Sequence, residues 1–159
     1  MRKAALGFGS NLGDRIGMIE AAIAALRDEP GIEVLSLSPA YSTPPWGLED
    51  QPDFINSCAL IETSLEPEAL LSVCKGVEKA LGRQAGVRWG PRLIDVDVLW
   101  MDGVALRSPT LTLPHPRILE RAFVLVPLAK ILPDLMIEGR TITQHRDTID
   151  TEGVEQVAG

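Results

Sequence analysis

Leu93-Ile94-Asp95-Val96-Asp97-Val98-Leu99-Trp100-Met101 is the stretch on which the fold turns. Acidic and apolar residues alternate through its first half, so Ile94, Val96 and Val98 leave one side of a strand and Asp95 and Asp97 the other. Carboxylates two apart in a strand share a face with Cα atoms roughly 6.5 to 7 Å apart. Two like charges stand on the second face of a half-buried strand, although Asp is depleted from strands, and something has to compensate their repulsion.

Upstream of this strand, Pro67 opens a helical pattern through Leu70, Leu71, Cys74, Val77 and Leu81 that Gly82 ends. Phe54 to Glu62 precedes it as a strand, and Ile32, Val34, Leu35 and Leu37 form another. Nearer the start, Ile16, Ile19, Ile23 and Leu26 have helical spacing, Asp14 supplies the cap, and Pro30-Gly31 stops the helix. Lys3 to Gly9 reads as a strand that ends in Gly9-Ser10-Asn11-Leu12-Gly13-Asp14, a cluster of turn formers. Strand, helix, strand, strand, helix, strand predicts an α+β fold, the ferredoxin-like split βαβ sandwich, with a helix layer on one face of a mainly antiparallel sheet. Pro109 to Pro116 is a rigid connector, and Ile118 to Leu132 is expected to hold one or two short helices. Residues 1–147 are expected to form a single catalytic domain and 148–159 a frayed tail.

Composition narrows the function. A chain of 159 residues and 17.2 kDa fits one core, and 45% hydrophobic with 23% charged residues is an ordinary globular balance. No apolar run approaches the roughly 18 to 20 residues that span a bilayer, and the run after Arg2 and Lys3 is too short for a signal core. The cytoplasm is the expected location, with no membrane partner. A net charge of −7 argues against broad nucleic-acid binding. Yet Arg83, Arg88, Arg92, Arg107, Arg117 and Arg121 fall within one stretch, which suits a compact anion site. Cys58 and Cys74 have no partner at metal spacing and read as reduced core thiols.

Asp95 and Asp97 support two readings. One is a solvated outer face; the other is Mg²⁺, which takes one or two carboxylates and completes its shell with water and phosphate oxygens. Arg92, three residues before Asp95, and Arg88 would neutralise phosphate charge beside such a metal, and Trp89 offers a face for stacking. Leu113-Pro114-His115-Pro116 holds an imidazole on a stiff loop, with Arg121 and Phe123 following. The loop Thr43-Pro44-Pro45-Trp46-Gly47, together with Phe54 and Asn56, combines stiff backbone, aromatic faces and an amide, the parts that bind a flat heterocycle. Gly7-Phe8-Gly9-Ser10-Asn11-Leu12 lacks the third glycine of a dinucleotide fingerprint, and there is no P-loop. An ATP-using transferase is the reading these residues favour. A catalytically silent ligand-binding module and a kinase with a single-phosphoryl product remain as alternatives.

Five blocks in register, from the first strand to about Leu135, resemble one family. They are Gly9-Ser10-Asn11-Leu12-Gly13, Thr43-Pro44-Pro45, Asp50-Gln51-Pro52-x-Phe54-x-Asn56, Arg88-Trp89-Gly90-Pro91-Arg92-x-x-Asp95-x-Asp97 and Pro114-His115-x-x-x-x-x-Arg121-x-Phe123. The family is that of the hydroxymethyldihydropterin pyrophosphokinases of folate biosynthesis. The resemblance implies transfer of the β,γ-diphosphate of ATP, as one unit, to the hydroxymethyl group of 6-hydroxymethyl-7,8-dihydropterin, with release of AMP. It further implies two Mg²⁺ ions on Asp95 and Asp97, and a catalytic role for Arg83 and Arg92 with those aspartates. ATP would meet Lys75, Glu78, Arg88, Trp89, Arg92, Val98, Thr112, His115 and Arg121. The pterin would meet Thr43, Pro44, Pro45, Trp46, Phe54, Asn56, Trp89, Asp95 and Phe123. A monomer with no partners beyond these small molecules is expected. The chain departs from the family at Gln84-Ala85-Gly86-Val87, where members carry more basic residues, and at Thr110, where some carry an arginine facing ATP; Arg107 is a candidate substitute. The loops around Trp46 and Ala85 are expected to close when ATP binds.

Overall fold

A computed structural model of the chain describes residues 1–11, 13–43, 53–82 and 94–157. The elements run β1 (Arg2–Ser10), α1 (Arg15–Arg27), β2 (Ile32–Leu37), β3 (Tyr41–Thr43), β4 (Phe54–Thr63), α2 (Pro67–Gly82) and β5 (Asp95–Met101). The hairpin β6 (Leu106–Arg107) and β7 (Thr112–Leu113), α3 (Ala122–Ile131), the hairpin β8 (Met136–Ile137) and β9 (Arg140–Thr141), α4 (Ile142–Asp147) and β10 (Glu155–Gln156) complete the chain. The expected order of strands and helices is present, with β3 as a further short strand.

Local chemistry places the boundaries. Asp14 Oδ1 accepts the Gly17 amide at 3.1 Å and so caps α1. Gly31, at φ 84°, turns the chain into β2, and the Thr63 hydroxyl pins its carbonyl at 2.6 Å.

The main sheet is antiparallel in the order β10-β3-β4-β1-β5, and β2 also pairs with β4. β4 is long enough to take two neighbours along one edge: β3 lies against Phe54 to Asn56, and β2 against Ala59 to Thr63. β1 pairs with β4 along its whole length, from Arg2 opposite Thr63 to Ser10 opposite Ile55. Between β1 and β5 the register shifts after Ala5, so that Leu99 is an extra residue in β5.

One face of the sheet presents Ala4, Leu6, Phe8, Ala59, Ile61, Val96 and Val98 to Ile19, Ala22 and Leu26 of α1 and Leu70, Cys74 and Val77 of α2. The alternation expected at Ile94, Val96 and Val98 is therefore realised, since all three are buried. The second face is not bare, in contrast to the single helix layer expected. Ala5, Cys58 and Leu99 pack there against Val124, Leu125 and Leu128 of α3 and Ile142 of α4. These two helices cover only the apolar part of that face. The part bearing Asn56, Asp95 and Asp97 lines an open cleft.

The segment from Thr148, where fraying is expected, returns to the sheet. Glu155 and Gln156 pair with Ser42 and Tyr41, and the Val157 amide donates to the Ala40 carbonyl at 2.9 Å. An edge strand offers unpaired backbone groups to any extended segment within reach, whatever its side chains. Among the described residues no helix is long and apolar enough to cross a membrane.

Candidate active site

Two glycines open the site. In the ladder between β1 and β5, Gly7 stands opposite Asp97 and Gly9 opposite Asp95, while on its other edge Gly9 stands opposite Asn56 of β4. Residues directly opposite in a ladder point to the same face, so Asn56, Gly9 and Asp95 form one row and Cys58, Gly7 and Asp97 the next. Gly7 and Gly9 line a cleft of about 280 Å³. Having no side chain there admits close neighbours: a Cβ would stand 3.2 Å from the Leu99 side chain at Gly7 and 2.9 Å from the Asn56 amide at Gly9.

Of the residues singled out in the sequence, the cleft gathers Thr43, Phe54, Asn56, Asp95, Asp97, Arg121 and Phe123. Thr43 ends β3 and its hydroxyl donates to Asn56 Oδ1 at 3.0 Å; Asn56 Nδ2 in turn donates to the Phe8 carbonyl at 3.4 Å. The amide is thereby fixed in one orientation. Arg121 lies over the Phe123 ring at 5.5 Å from its centroid, so the aromatic wall carries a cation. Phe54 and Phe123 supply flat apolar surface and Asn56 and Thr43 supply polar atoms, a combination that suits a planar heterocycle.

Asp95 and Asp97 add negative charge, offset by Arg117 and Arg121 at the same cleft. Among the described residues no three His, Cys, Asp or Glu side chains gather as a metal cage. Two carboxylates with no third such side chain among the described residues fit a hard, hydrated cation that keeps positions for water and phosphate oxygens, as Mg²⁺ does, and do not fit a closed zinc centre.

His115 lies on the loop before α3. Its backbone amide donates to the carbonyl of Leu99, the extra residue of β5, at 2.8 Å, and its Nδ1 accepts the Arg117 amide at 3.2 Å. Nδ1 is therefore the acceptor nitrogen, and Nε2 carries the proton of the neutral ring. Burial pushes the imidazole pKa below its ordinary value; the Asp97 carboxylate opposes that shift, and Arg121 and Arg117 add to it. His115 and Thr112 line a second cavity, of about 850 Å³, together with Trp100 and Arg107. The loop from His115 to Arg121 lies between the two cavities, sending Arg117 and Arg121 to the cleft and Ile118 and Glu120 to its neighbour.

Four other residues named from the sequence lie elsewhere. Lys75 and Glu78 form an ion pair on α2 at 3.3 Å, and Glu78 Oε2 also accepts the Val96 amide at 2.7 Å, so the acid is tied to the strand between the two aspartates. Val98 points into the core on the opposite face and is buried. The Thr110 hydroxyl donates to the Glu68 carboxylate on α2 at 2.9 to 3.0 Å. Pro44, Pro45, Trp46, Arg83, Arg88, Trp89 and Arg92, with the Ala85 loop, lie outside the described residues.

Arg117 of the arginine-rich stretch also lines the cleft, and Gly7, Gly9, Cys58, Leu99 and Val124 line it without having been singled out as site residues. The signal for the glycines was present: two glycines two apart in a strand share a face just as Asp95 and Asp97 do. Cys58 and Cys74 are free buried thiols. Burial raises the pKa of both, that of Cys74 to about 12 with help from Glu78, so neither supplies a nucleophile at neutral pH.

Residues 5–133 match the family model described as 7,8-dihydro-6-hydroxymethylpterin-pyrophosphokinase. The chain belongs to this family. A protein from Methylorubrum extorquens, named 2-amino-4-hydroxy-6-hydroxymethyldihydropteridine pyrophosphokinase, is 48% identical over 157 residues, covering 99% of both chains. Proteins of the same name from Pseudomonas aeruginosa and Bacillus subtilis are 38% and 43% identical, covering 95% and 79% of this chain and 94% and 75% of theirs. In three dimensions the family's fold is matched by an HPPK-DHPS structure in complex with substrates, at a TM-score of 0.74 over 92% of this chain with 12% identity. Plasmodium falciparum HPPK-DHPS gives the same score over 100% of this chain with 15% identity. This chain spans 43% and 48% of those two longer proteins, and the likeness establishes the ferredoxin-like α+β fold alone.

Proposed function

We propose that the cleft over Gly7 and Gly9 is where this chain carries out the reaction of its family, ATP-dependent diphosphate transfer to 6-hydroxymethyl-7,8-dihydropterin in folate biosynthesis. One observation carries the assignment to this cleft. The cleft sets Asn56 and Thr43 on one side of the β1 glycines and Asp95 and Asp97 on the other, so a heterocycle bound by the amide extends its substituent toward the carboxylates.

In this reading the pterin ring lies against Phe54 and Phe123 and bonds through its polar edge to Asn56 and the Thr43 loop. Asp95 and Asp97 would hold Mg²⁺, which when bound would neutralise phosphate oxygens and raise the electrophilicity of the β-phosphorus. Arg121 and neutral His115, which offers its Nε2 proton, grip the phosphate chain, with Arg83, Arg88 and Arg92 as further cationic groups and Lys75 and Thr112 toward the rest of ATP. The hydroxymethyl oxygen forms the new bond to the β-phosphorus, the bond from that phosphorus to the α-phosphate oxygen breaks, and AMP departs with the electron pair. The hydroxyl proton passes to Asp97 or to water. Catalysis in this scheme is positioning and charge neutralisation, consistent with two thiols held neutral.

Asp97→Asn tests the assignment. The variant is expected to keep its far-ultraviolet circular dichroism and to lose turnover by several orders of magnitude, because Asn is nearly isosteric but carries no charge. Unchanged turnover across a Mg²⁺ titration removes the metal role.

A further inference from the structure

β3 is three residues long, and Thr43, its last residue, donates to Asn56. On one side it has three pairings with β4: Tyr41 opposite Asn56, Ser42 opposite Ile55 and Thr43 opposite Phe54. On the other side it has β10. The ladder registers line up as a single row across the sheet, Gln156 opposite Tyr41, Tyr41 opposite Asn56, Asn56 opposite Gly9 and Gly9 opposite Asp95. The row that crosses the cleft floor therefore begins in the C-terminal segment.

That segment is held at both ends. Ile149 packs against the core beneath α3 and α4, the chain reverses through Gly153 at φ 88°, and Val157 packs against the core on the α1–α2 face while its amide bonds Ala40. A three-residue strand paired on one side alone would fray from its end, and Thr43 is an end residue.

We propose that Glu155 to Val157 are positioning residues for pterin binding. By closing the outer edge of β3, they hold Thr43, and through Thr43 the Asn56 amide, in the orientation that the heterocycle's polar edge meets. The inference rests on the reading of Thr43 and Asn56 as the pterin wall. None of the three touches a ligand; they act through β3.

Two variants of the full enzyme test it. Val157→Pro removes the amide that bonds Ala40 together with the packing of the valine side chain, and a chain ending at Val154 deletes the strand. Each is compared with Thr43→Val for melting temperature, for KM of both substrates, and for pterin binding without ATP followed by tryptophan fluorescence. Both tail variants are expected to raise the pterin KM and Kd about fivefold, roughly 1 kcal/mol, while the ATP KM and kcat stay within about twofold. A pterin Kd unchanged in folded Val157→Pro, with Thr43→Val weakened, overturns the strap and leaves the wall standing. An unchanged pterin Kd in Thr43→Val overturns the wall, and the strap with it. Losses of kcat and of both KM values that track the melting temperature reduce the strap to general stability and also overturn the proposal.

Discussion

A Cβ added to Gly9 would stand 2.9 Å from Asn56 Nδ2, closer than side-chain atoms approach. The amide cannot yield freely, because Thr43 and the Phe8 carbonyl hold its two ends. Gly9→Ala is accordingly expected to break one of these bonds inside a buried site, lowering stability by about 1–3 kcal/mol and weakening pterin binding. Gly76 provides the contrast: in α2 an added Cβ meets nothing within 4 Å, and Gly76→Ala should stabilise the protein by about 0.5–1 kcal/mol through helix propensity. Urea denaturation of both variants reads the two opposite signs, and equal effects refute the steric account.

Glu78 reaches from α2 to the amide of Val96, the residue between the two aspartates. Among the described residues β5 is an edge strand of the main sheet, and this carboxylate takes the place of a neighbouring strand's acceptor. Removing it in Glu78→Ala should cost about 1–3 kcal/mol, and Glu78→Gln, which keeps an acceptor oxygen, should recover more than half. The urea midpoints of the three proteins check this, and an alanine variant as stable as the parent removes the clamp.

The His115 pKa is held below its ordinary value of 6.5 in the folded protein, chiefly by burial. The unfolded chain therefore takes up the proton more readily than the folded one. Stability from this residue is present above pH 6.5 and is lost as pH falls below that value toward the lowered folded pKa. In the absence of Mg²⁺ and nucleotide, His115→Gln should flatten the decline in unfolding free energy between about pH 7 and 5. A pH profile that retains the parent's slope assigns that slope to other groups.

Much of this arrangement was legible, and the illegible part has physical reasons. Alternation in β5 put Asp95 and Asp97 on one face and Val96 and Val98 in the core because period two is a side-chain signal. The glycines opposite them read in the sequence as a turn, as part of a family block and as an incomplete dinucleotide fingerprint, and only their spacing of two hints that they share a face with the cleft. Cover on the second face was hidden for another reason. Val124, Leu125, Pro127, Leu128 and Ala129 of α3 are all buried, so the helix has no polar stripe from which a single packing direction can be read. β10 carries no pattern at all: Glu155 and Gln156 pair through backbone groups that every residue possesses. The Glu78 clamp is likewise a bond to backbone, invisible to any comparison of side-chain types.

Diphosphate transfer and single-phosphoryl transfer leave different nucleotides behind. Incubation of the protein with ATP, Mg²⁺ and 6-hydroxymethyl-7,8-dihydropterin, followed by chromatographic separation of the nucleotides, tests the account most directly. It predicts AMP in amounts equal to the pterin diphosphate formed, with the yield abolished in Asp97→Asn. ADP in place of AMP contradicts it.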